Sequence, residues 1–372
     1  MPNALMSPAG KRALATKLLQ WFGASARDLP WRRTRDLYAI WISEVMLQQT
    51  QVVTVIPYWV RFLTQFPNPA ALAAADEHDV LRLWEGLGYY RRARQLHAAA
   101  KKIVAEHGGE FPNHLEQVRG LPGIGRYTAG AILSIGLDQR LPILEANTIR
   151  VLSRLTAYRK EVDSTAGRAY LWSVAEAILP EQNCGAFNQA LMELGSEVCT
   201  PKSPACDRCP VAQLCEARRQ DVVAKVPRPA KPKQYEEVTE LAVVVRRGTQ
   251  VLLRHCQAGE RWAGLWDFPR FAAKEAEKSE PLEKALAAGT RQLTGLRIVP
   301  GEQLLTIKHG VTRYRITLHC FEATLQSMPK KNQLPGEGMR WVAIDALTEY
   351  PLSTTGRKIS RALMAGSAVV DS

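Results

Sequence analysis

Two carboxylates stand where helical packing has little use for them. Glu44 is the one charged residue of "WISEVMLQQTQVVTVIPYW", and Glu145 interrupts the mostly apolar "LPILEANTIRVLSRL". Ile40, Glu44, Leu47 and Gln51 share one helical stripe, which turns Glu44 inward. A buried carboxyl keeps its proton or finds partners, and a raised pKa is what a general acid needs. A structural ion pair from Arg32 or Arg35 is the alternative. Glu145 is either a surface charge that falls within an apolar run or the other half of a catalytic pair.

Four of the seven cysteines crowd into "CTPKSPACDRCPVAQLC" as Cys199, Cys206, Cys209 and Cys215, with gaps of six, two and five residues. A structural zinc site also takes four thiolates but draws them as two close pairs, and only Cys206 and Cys209 form one. A single loop with unequal gaps suits a [4Fe–4S] cluster better. Without a secretory signal, the clustering also argues against a disulfide framework. Lys202 and Arg208 on this loop are placed to meet phosphates, while Cys184, Cys256 and Cys320 stand apart as buried thiols. A second anion site is readable in "LPGIGRYTAGAIL". There Gly123 and Gly125 permit a tight turn that leaves backbone N–H groups at a helix N-terminus facing outward. The net charge of +13, from 49 Lys+Arg against 36 Asp+Glu, favours a polyanionic partner, nucleic acid ahead of membrane.

The elements that must position these groups divide in two. At 372 residues the chain is too long for one ordinary core. Residues 1–222 carry helical spacing, as in "DVLRLWEGLGYYRRARQLHAAAKKIVAEH" and "AYLWSVAEAILP". Residues 223–236, "VAKVPRPAKPKQYE", read as a basic, proline-rich linker. In residues 237–372, "ELAVVVRRGTQVLLRHC" reads as two strands around a Gly-Thr turn. "RYRITLHCFEATL" and "MRWVAI" alternate as strands do, and "PLEKALAAGTRQLTG" is helical. No apolar run is long enough to span a membrane, and the N-terminus reads as an amphipathic first helix, not a signal peptide. The expected place is the cytoplasm, at the nucleoid, and the expected state is monomeric.

The hairpin and cysteine loop together resemble the helix–hairpin–helix DNA glycosylases of the endonuclease III superfamily. With "LPWR", "SEVMLQQTQV", "WEGLGYYRRAR", "LPGIGRYTAGAI" and "FNQALMELG" in order, the chain resembles MutY-type adenine DNA glycosylases. The resemblance implies a multidomain fold: an all-α helix–hairpin–helix domain with an iron–sulfur loop at 199–215, and a C-terminal α+β Nudix-like (MutT-like) domain that recognises 8-oxoguanine. It implies excision of adenine mispaired with 8-oxoguanine or guanine, from double-stranded DNA, after the base leaves the stack. A non-catalytic mismatch-binding protein and a glycosylase for another base, such as thymine, are the alternatives.

In that frame Glu44 is the acid acting on adenine N7. Glu145 takes the place of the family's aspartate, within Glu-Ala-Asn where the family has Asp-Gly-Asn, and Asn147 is retained. Tyr127 stands where backbone-cutting relatives place a Schiff-base lysine, so the enzyme should be monofunctional, with Tyr127 and Asn147 positioning water or carboxylate. Trp31, Arg32 and Leu47 would line the adenine pocket. Gln49 and Tyr89 would wedge beside 8-oxoguanine, with Thr50, Leu87 and Gly88 lining its position. Val311, Thr312 and Arg313 replace the family's Phe-Ser-His. Thr312 keeps a hydroxyl for a base edge and Arg313 is suited to phosphate. The Nudix helix lacks the Glu-rich box that holds Mg²⁺, so pyrophosphate hydrolysis is not expected.

Overall fold

Apolar residues at helical spacing fill the first part of the chain, and they fold into helices there. The computed structural model describes residues 6–228, 234–273, 281–326 and 338–367; linker residues 229–233 lie outside that description. The helices are α1 (Pro8–Ser25), α2 (Leu37–Leu47), α3 (Val52–Gln65), α4 (Pro69–Ala74), α5 (Glu77–Trp84) and α6 (Arg91–His107). There follow α7 (Leu115–Arg119), α8 (Arg126–Leu137), α9 (Ala146–Leu155), α10 (Thr165–Ile178), α11 (Cys184–Glu197) and α12 (Glu216–Arg219).

The stretch expected as one helix through Glu44 is two. Gln48 leaves the helical region, Gln49 takes φ +57°, and Gln51 becomes the N-cap residue of α3. Four successive amide or hydroxyl side chains, Gln48 to Gln51, give the core nothing apolar to hold and offer the backbone other hydrogen-bond partners. Gln51 therefore belongs to the start of α3 and not to the stripe of Glu44.

The chain forms two compact units, residues 1–74 with 95–231, and residues 75–94 with 232–372. In the first, α11 packs against α1, α8 and α9, and α2 packs against α8. Leu14, Leu18, Leu152, Leu171, Phe187, Leu191 and Leu194 form one of its apolar cores. The expected linker begins in packed structure: Val226 is buried with Ala217 and Val222, and its carbonyl accepts from Arg154 Nε at 2.9 Å. An apolar side chain and a buried guanidinium hold those residues against the helices.

The second unit holds α5 and the loop after it, together with a mixed sheet. Its strands are β1 (Glu236–Arg247), β2 (Gln250–His255), β3 (Trp266–Asp267), β4 (Arg270–Ala272), β5 (Ile298–Val311), β6 (Tyr314–Leu325) and β7 (Met339–Ala343). Their order is β3-β2-β1-β6-β5, with β4 on β1 and β7 on β2. β1 runs parallel to β6 in full register from Glu236↔Tyr314 to Arg246↔Thr324. Two helices complete the unit, α13 (Leu282–Thr294) and α14 (Thr354–Ser367). The unbroken apolar run Leu241–Val245 follows from burial of both sheet faces. Ala242 and Val244 join a core with Ile359 and Leu363 of α14, and Leu241, Val243 and Val245 join one with Leu286 of α13. β1, β2, β6, β7 and α13 match the sequence pattern.

Candidate active site

Glu44 comes from the buried face of α2 and is 5% exposed. Its Oε2 accepts a 2.7 Å hydrogen bond from the Tyr127 hydroxyl, on the first turn of α8. Neither expected arginine pairs with it. Arg32 bonds Glu193 and the Arg27 carbonyl, and Arg35 bonds the Ile135 carbonyl. Burial, against the Tyr127 bond that favours the anion, with a push from nearby Glu145 and a pull down from Arg32, leaves the Glu44 carboxyl raised to about 7. Burial, with both carboxylates beside it, holds Tyr127 protonated far above neutral pH. Its hydroxyl is a donor throughout the working range.

Glu145 is the N-cap residue of α9. Its Oε2 accepts from the Asn147 amide and its Oε1 from the Thr148 amide, both at 2.8 Å, while the Glu145 amide donates to Thr148 Oγ1 at 2.8 Å. This capping box fixes the carboxylate at the positive end of the helix. Burial pushes its pKa up, and those two amide bonds oppose the shift by favouring the anion. Asn147 packs its Cβ against Gly195 of α11 and accepts from Arg150 NH2 at 2.8 Å. Arg150 also reaches the carbonyls of Gly195 and Cys199.

These groups face one cavity of about 520 Å³, within the ~300–1,000 Å³ range of small-molecule sites. Trp31, Arg32, Glu44, Leu47, Tyr127, Glu145 and Asn147, expected from the sequence at the adenine site, line it, and so does Thr50, expected beside the lesion. Sequence reasoning gave no role to Arg27, Met192 or Glu193, which line it too. Glu193 is 1% exposed, and burial would push its carboxyl up, but hydrogen bonds from Arg27 and Arg32 outweigh this and hold it at about 2. The signal that identified Glu44, a lone carboxylate in an apolar helix, was equally present in "FNQALMELG". An added methyl at Gly195 would lie 2.6 Å from Asn147 Cβ. Gly195→Ala is expected to destabilise the fold by about 1–3 kcal/mol and to slow chemistry by displacing Asn147, which thermal unfolding and single-turnover rates would check.

Gly123 takes φ +79°, and Gly125 caps α8 with no side-chain bond, so the first-turn amides of α8 stay open to an anion. Beside them, unforeseen from the sequence, the Arg126 guanidinium sits 3.9 Å over the Trp172 ring. Of the residues expected at the lesion, Gln49 and Thr50 belong to the first unit, and Leu87, Gly88, Tyr89, Thr312 and Arg313 to the second. Gln49, Tyr89 and Thr312 share a feature: each has positive φ, at +57°, +48° and +51°, without being glycine. Strain of this kind persists where the surroundings enforce it and collects at binding sites. Thr312 and Arg313 form the exposed two-residue turn between β5 and β6.

Cys199, Cys206, Cys209 and Cys215 are all unpaired, partly buried, and line one cavity of about 30 Å³. Among the described residues no three such side chains converge as ligands of a single ion. Four thiols around a small hollow fit a multi-iron core, whose ligands bind separate corners. Arg154 donates to Cys199 Sγ at 3.3 Å and to the Thr200 carbonyl at 2.8 Å, fastening this loop to α9.

Residues 199–215 match the iron-sulfur binding domain of endonuclease III, and the cofactor is a [4Fe–4S] cluster. Residues 42–176 match the HhH-GPD superfamily of base excision DNA repair proteins, and 241–362 match the NUDIX domain. Fold and site thus define a DNA N-glycosylase of the helix–hairpin–helix class with an appended Nudix-like domain. The chain is 34% identical to the adenine DNA glycosylase of Mus musculus, over 94% of this chain and 77% of that one. It is 40% identical to that of Buchnera aphidicola subsp. Schizaphis graminum, over 69% and 74%. A thermostable thymine-DNA glycosylase structure is similar at 26% identity and TM-score 0.52, covering 56% of this chain and 97% of that one. The chain belongs to the adenine DNA glycosylase family. No helix among the described residues is long and apolar enough to cross a membrane.

Proposed function

We propose that the protein removes adenine paired with 8-oxoguanine or guanine and leaves an abasic site without cutting the backbone. It does so as a monomer, on nucleoid DNA of the cytoplasm. The carrying observation is one cavity that holds two carboxyls in different settings, Glu44 poised near neutrality on a tyrosine hydroxyl and Glu145 held by helix amides. An extruded adenine enters between Trp31 and Leu47. Protonated Glu44 gives its proton to N7 as the glycosidic bond breaks. The Glu145 carboxylate faces the sugar cation, a water adds to C1′ and gives up a proton to leave the abasic sugar, and Asn147 and Tyr127 hold the reacting groups in place. Tyr127 offers a hydroxyl where a covalent sugar adduct would need an amine. Cys199, Cys206, Cys209 and Cys215 would hold the cluster, on the loop between α11 and α12.

Gln49 and Tyr89 insert beside 8-oxoguanine, Thr50, Leu87 and Gly88 line its position, Thr312 bonds its edge, and Arg313 takes a phosphate. The hairpin amides at Gly123 and Gly125 grip the backbone. The test is single-turnover excision on duplexes with 8-oxoguanine:A, G:A and G:T. Adenine is expected from the first two, faster from the first, with strand breaks only after alkali. Tight binding with no base released would favour a mismatch-binding protein, and thymine release a different specificity. Deleting 237–372 would also strip residues 75–94 of their neighbours, so point variants are the cleaner probe of lesion reading. Thr312→Ala combined with Arg313→Ala is expected to cut the 8-oxoguanine preference by about tenfold, the worth of one or two lost hydrogen bonds. An unchanged ratio of the two rates would remove the turn from lesion recognition.

A further inference from the structure

We propose that Arg357 is a positioning residue for lesion reading, its two-pronged ion pair with Glu85 fixing the loop that presents Tyr89. The functional half of this inference rests on the reading above; the structural half does not.

After α5 the chain passes through Glu85, Gly86, Leu87, Gly88 and Tyr89. Three of these five residues have positive φ: Gly86 at +100°, Gly88 at +69° and Tyr89 at +48°. The two glycines take such angles freely, but Tyr89 is strained there, and at 52% exposure its ring is not held by its own burial, so the conformation must be enforced from the flanks. Local bonds close part of it: Trp84 Nε1 donates to the Gly88 carbonyl at 3.0 Å, and Arg92 donates to the carbonyls of Leu87 and Gly88. Glu85 and Tyr90, on either side of the two glycines and Tyr89, anchor it to the rest of the unit. Arg357 Nε donates to Glu85 Oε1 at 2.5 Å and its NH2 to Oε2 at 2.8 Å, and the Leu352 amide reaches the same Oε2 at 3.3 Å. The Tyr90 hydroxyl donates to the Leu352 carbonyl at 3.3 Å.

Arg357 is itself over-determined. Its NH1 donates to the Leu347 carbonyl at 2.8 Å and its NH2 to the Tyr350 carbonyl at 2.7 Å. The pair is largely shielded, its side chains 15% and 16% exposed. A planar guanidinium that satisfies one carboxylate and two carbonyls together cannot be replaced by the single ammonium of lysine. An ion pair serving stability alone needs no such fork at the root of a strained, exposed aromatic loop.

The experiment uses the full-length protein with Arg357→Met, Arg357→Lys, Glu85→Gln and the Met/Gln double variant. The first readout is amide hydrogen exchange at residues 86–90 without DNA; the second is single-turnover excision from 8-oxoguanine:A and G:A duplexes. Exchange in this loop is expected to quicken about tenfold in the Met and Gln variants and less in the Lys variant, with the double variant no worse than either single one. The 8-oxoguanine preference is expected to fall about tenfold, through the lesion duplex alone, because coupled pairs contribute on this scale. Unchanged exchange, or additive effects, would overturn the clamp. Quickened exchange with equal losses on both duplexes would overturn its part in lesion reading. A wild-type protein with no preference between the duplexes would instead sink the functional reading, and the exchange data would still judge the clamp.

Discussion

Glu44→Gln is expected to lower single-turnover adenine excision by between ~10²- and ~10⁴-fold, the range a positioned proton donor contributes. The amide keeps the shape and can still accept from Tyr127, so the loss isolates the proton. The wild-type rate is expected to fall as pH rises through about 7, where burial and Glu145 place the Glu44 carboxyl. Tyr127→Phe removes a bond that favours the anion, so the alkaline limb should move to higher pH. Stability follows the same group. Its folded pKa lies above the unfolded one, so its contribution is complete below about 4.5 and is lost as pH rises through about 7. The total is on the order of 3 kcal/mol, and Glu44→Gln should flatten stability over that window. A Gln variant with wild-type excision, or a wild-type rate that climbs steadily past pH 8, would remove Glu44 from the acid role.

The cavity was largely legible in the sequence because its chemistry contradicts its surroundings. A carboxylate in an apolar helix and glycines at a helix entrance declare themselves locally. Glu193 declared itself by the same rule, but its meaning depends on Arg27 and Arg32, which lie more than 160 residues away in the chain and meet it only in the fold. The break at Gln48–Gln51 was missed because the apolar run resumes at Val52, so helical spacing alone carries through it. The grouping of residues 75–94 with the sheet unit was beyond local reading as well. Helix α5 has an ordinary amphipathic pattern, and the side chains that claim it, Arg357 above all, are encoded some 270 residues later.

Glu145→Gln tests whether one carboxylate both caps a helix and serves the reaction. Both oxygens bond α9 amides, which accounts for a glutamate there without any catalysis. Each oxygen keeps a second lone pair, however, and the side chain lines the cavity that holds Glu44. Glutamine turns an NH2 toward one of the two amides, so one cap bond is lost at about 1 kcal/mol. It also removes the charge facing the sugar, for which a loss of about 10²- to 10³-fold is expected, comparable with removal of one preorganised electrostatic contact at a transition state. Glu145→Asp separates the two effects. Aspartate is a strong N-cap and keeps the charge, but its carboxylate withdraws by one methylene. It should hold the unfolding temperature and stay within about tenfold of the wild-type rate, since the helix amides still position the anion. There is also a signature that loss of a cap cannot produce. The Glu145 charge raises the Glu44 pKa, so Glu145→Gln should move the alkaline limb of excision to lower pH, while Glu145→Asp leaves it nearly in place. If both variants excised adenine at one rate with one pH profile and differed only in unfolding temperature, Glu145 would be a helix cap and the sugar cation would have to find its counter-charge elsewhere.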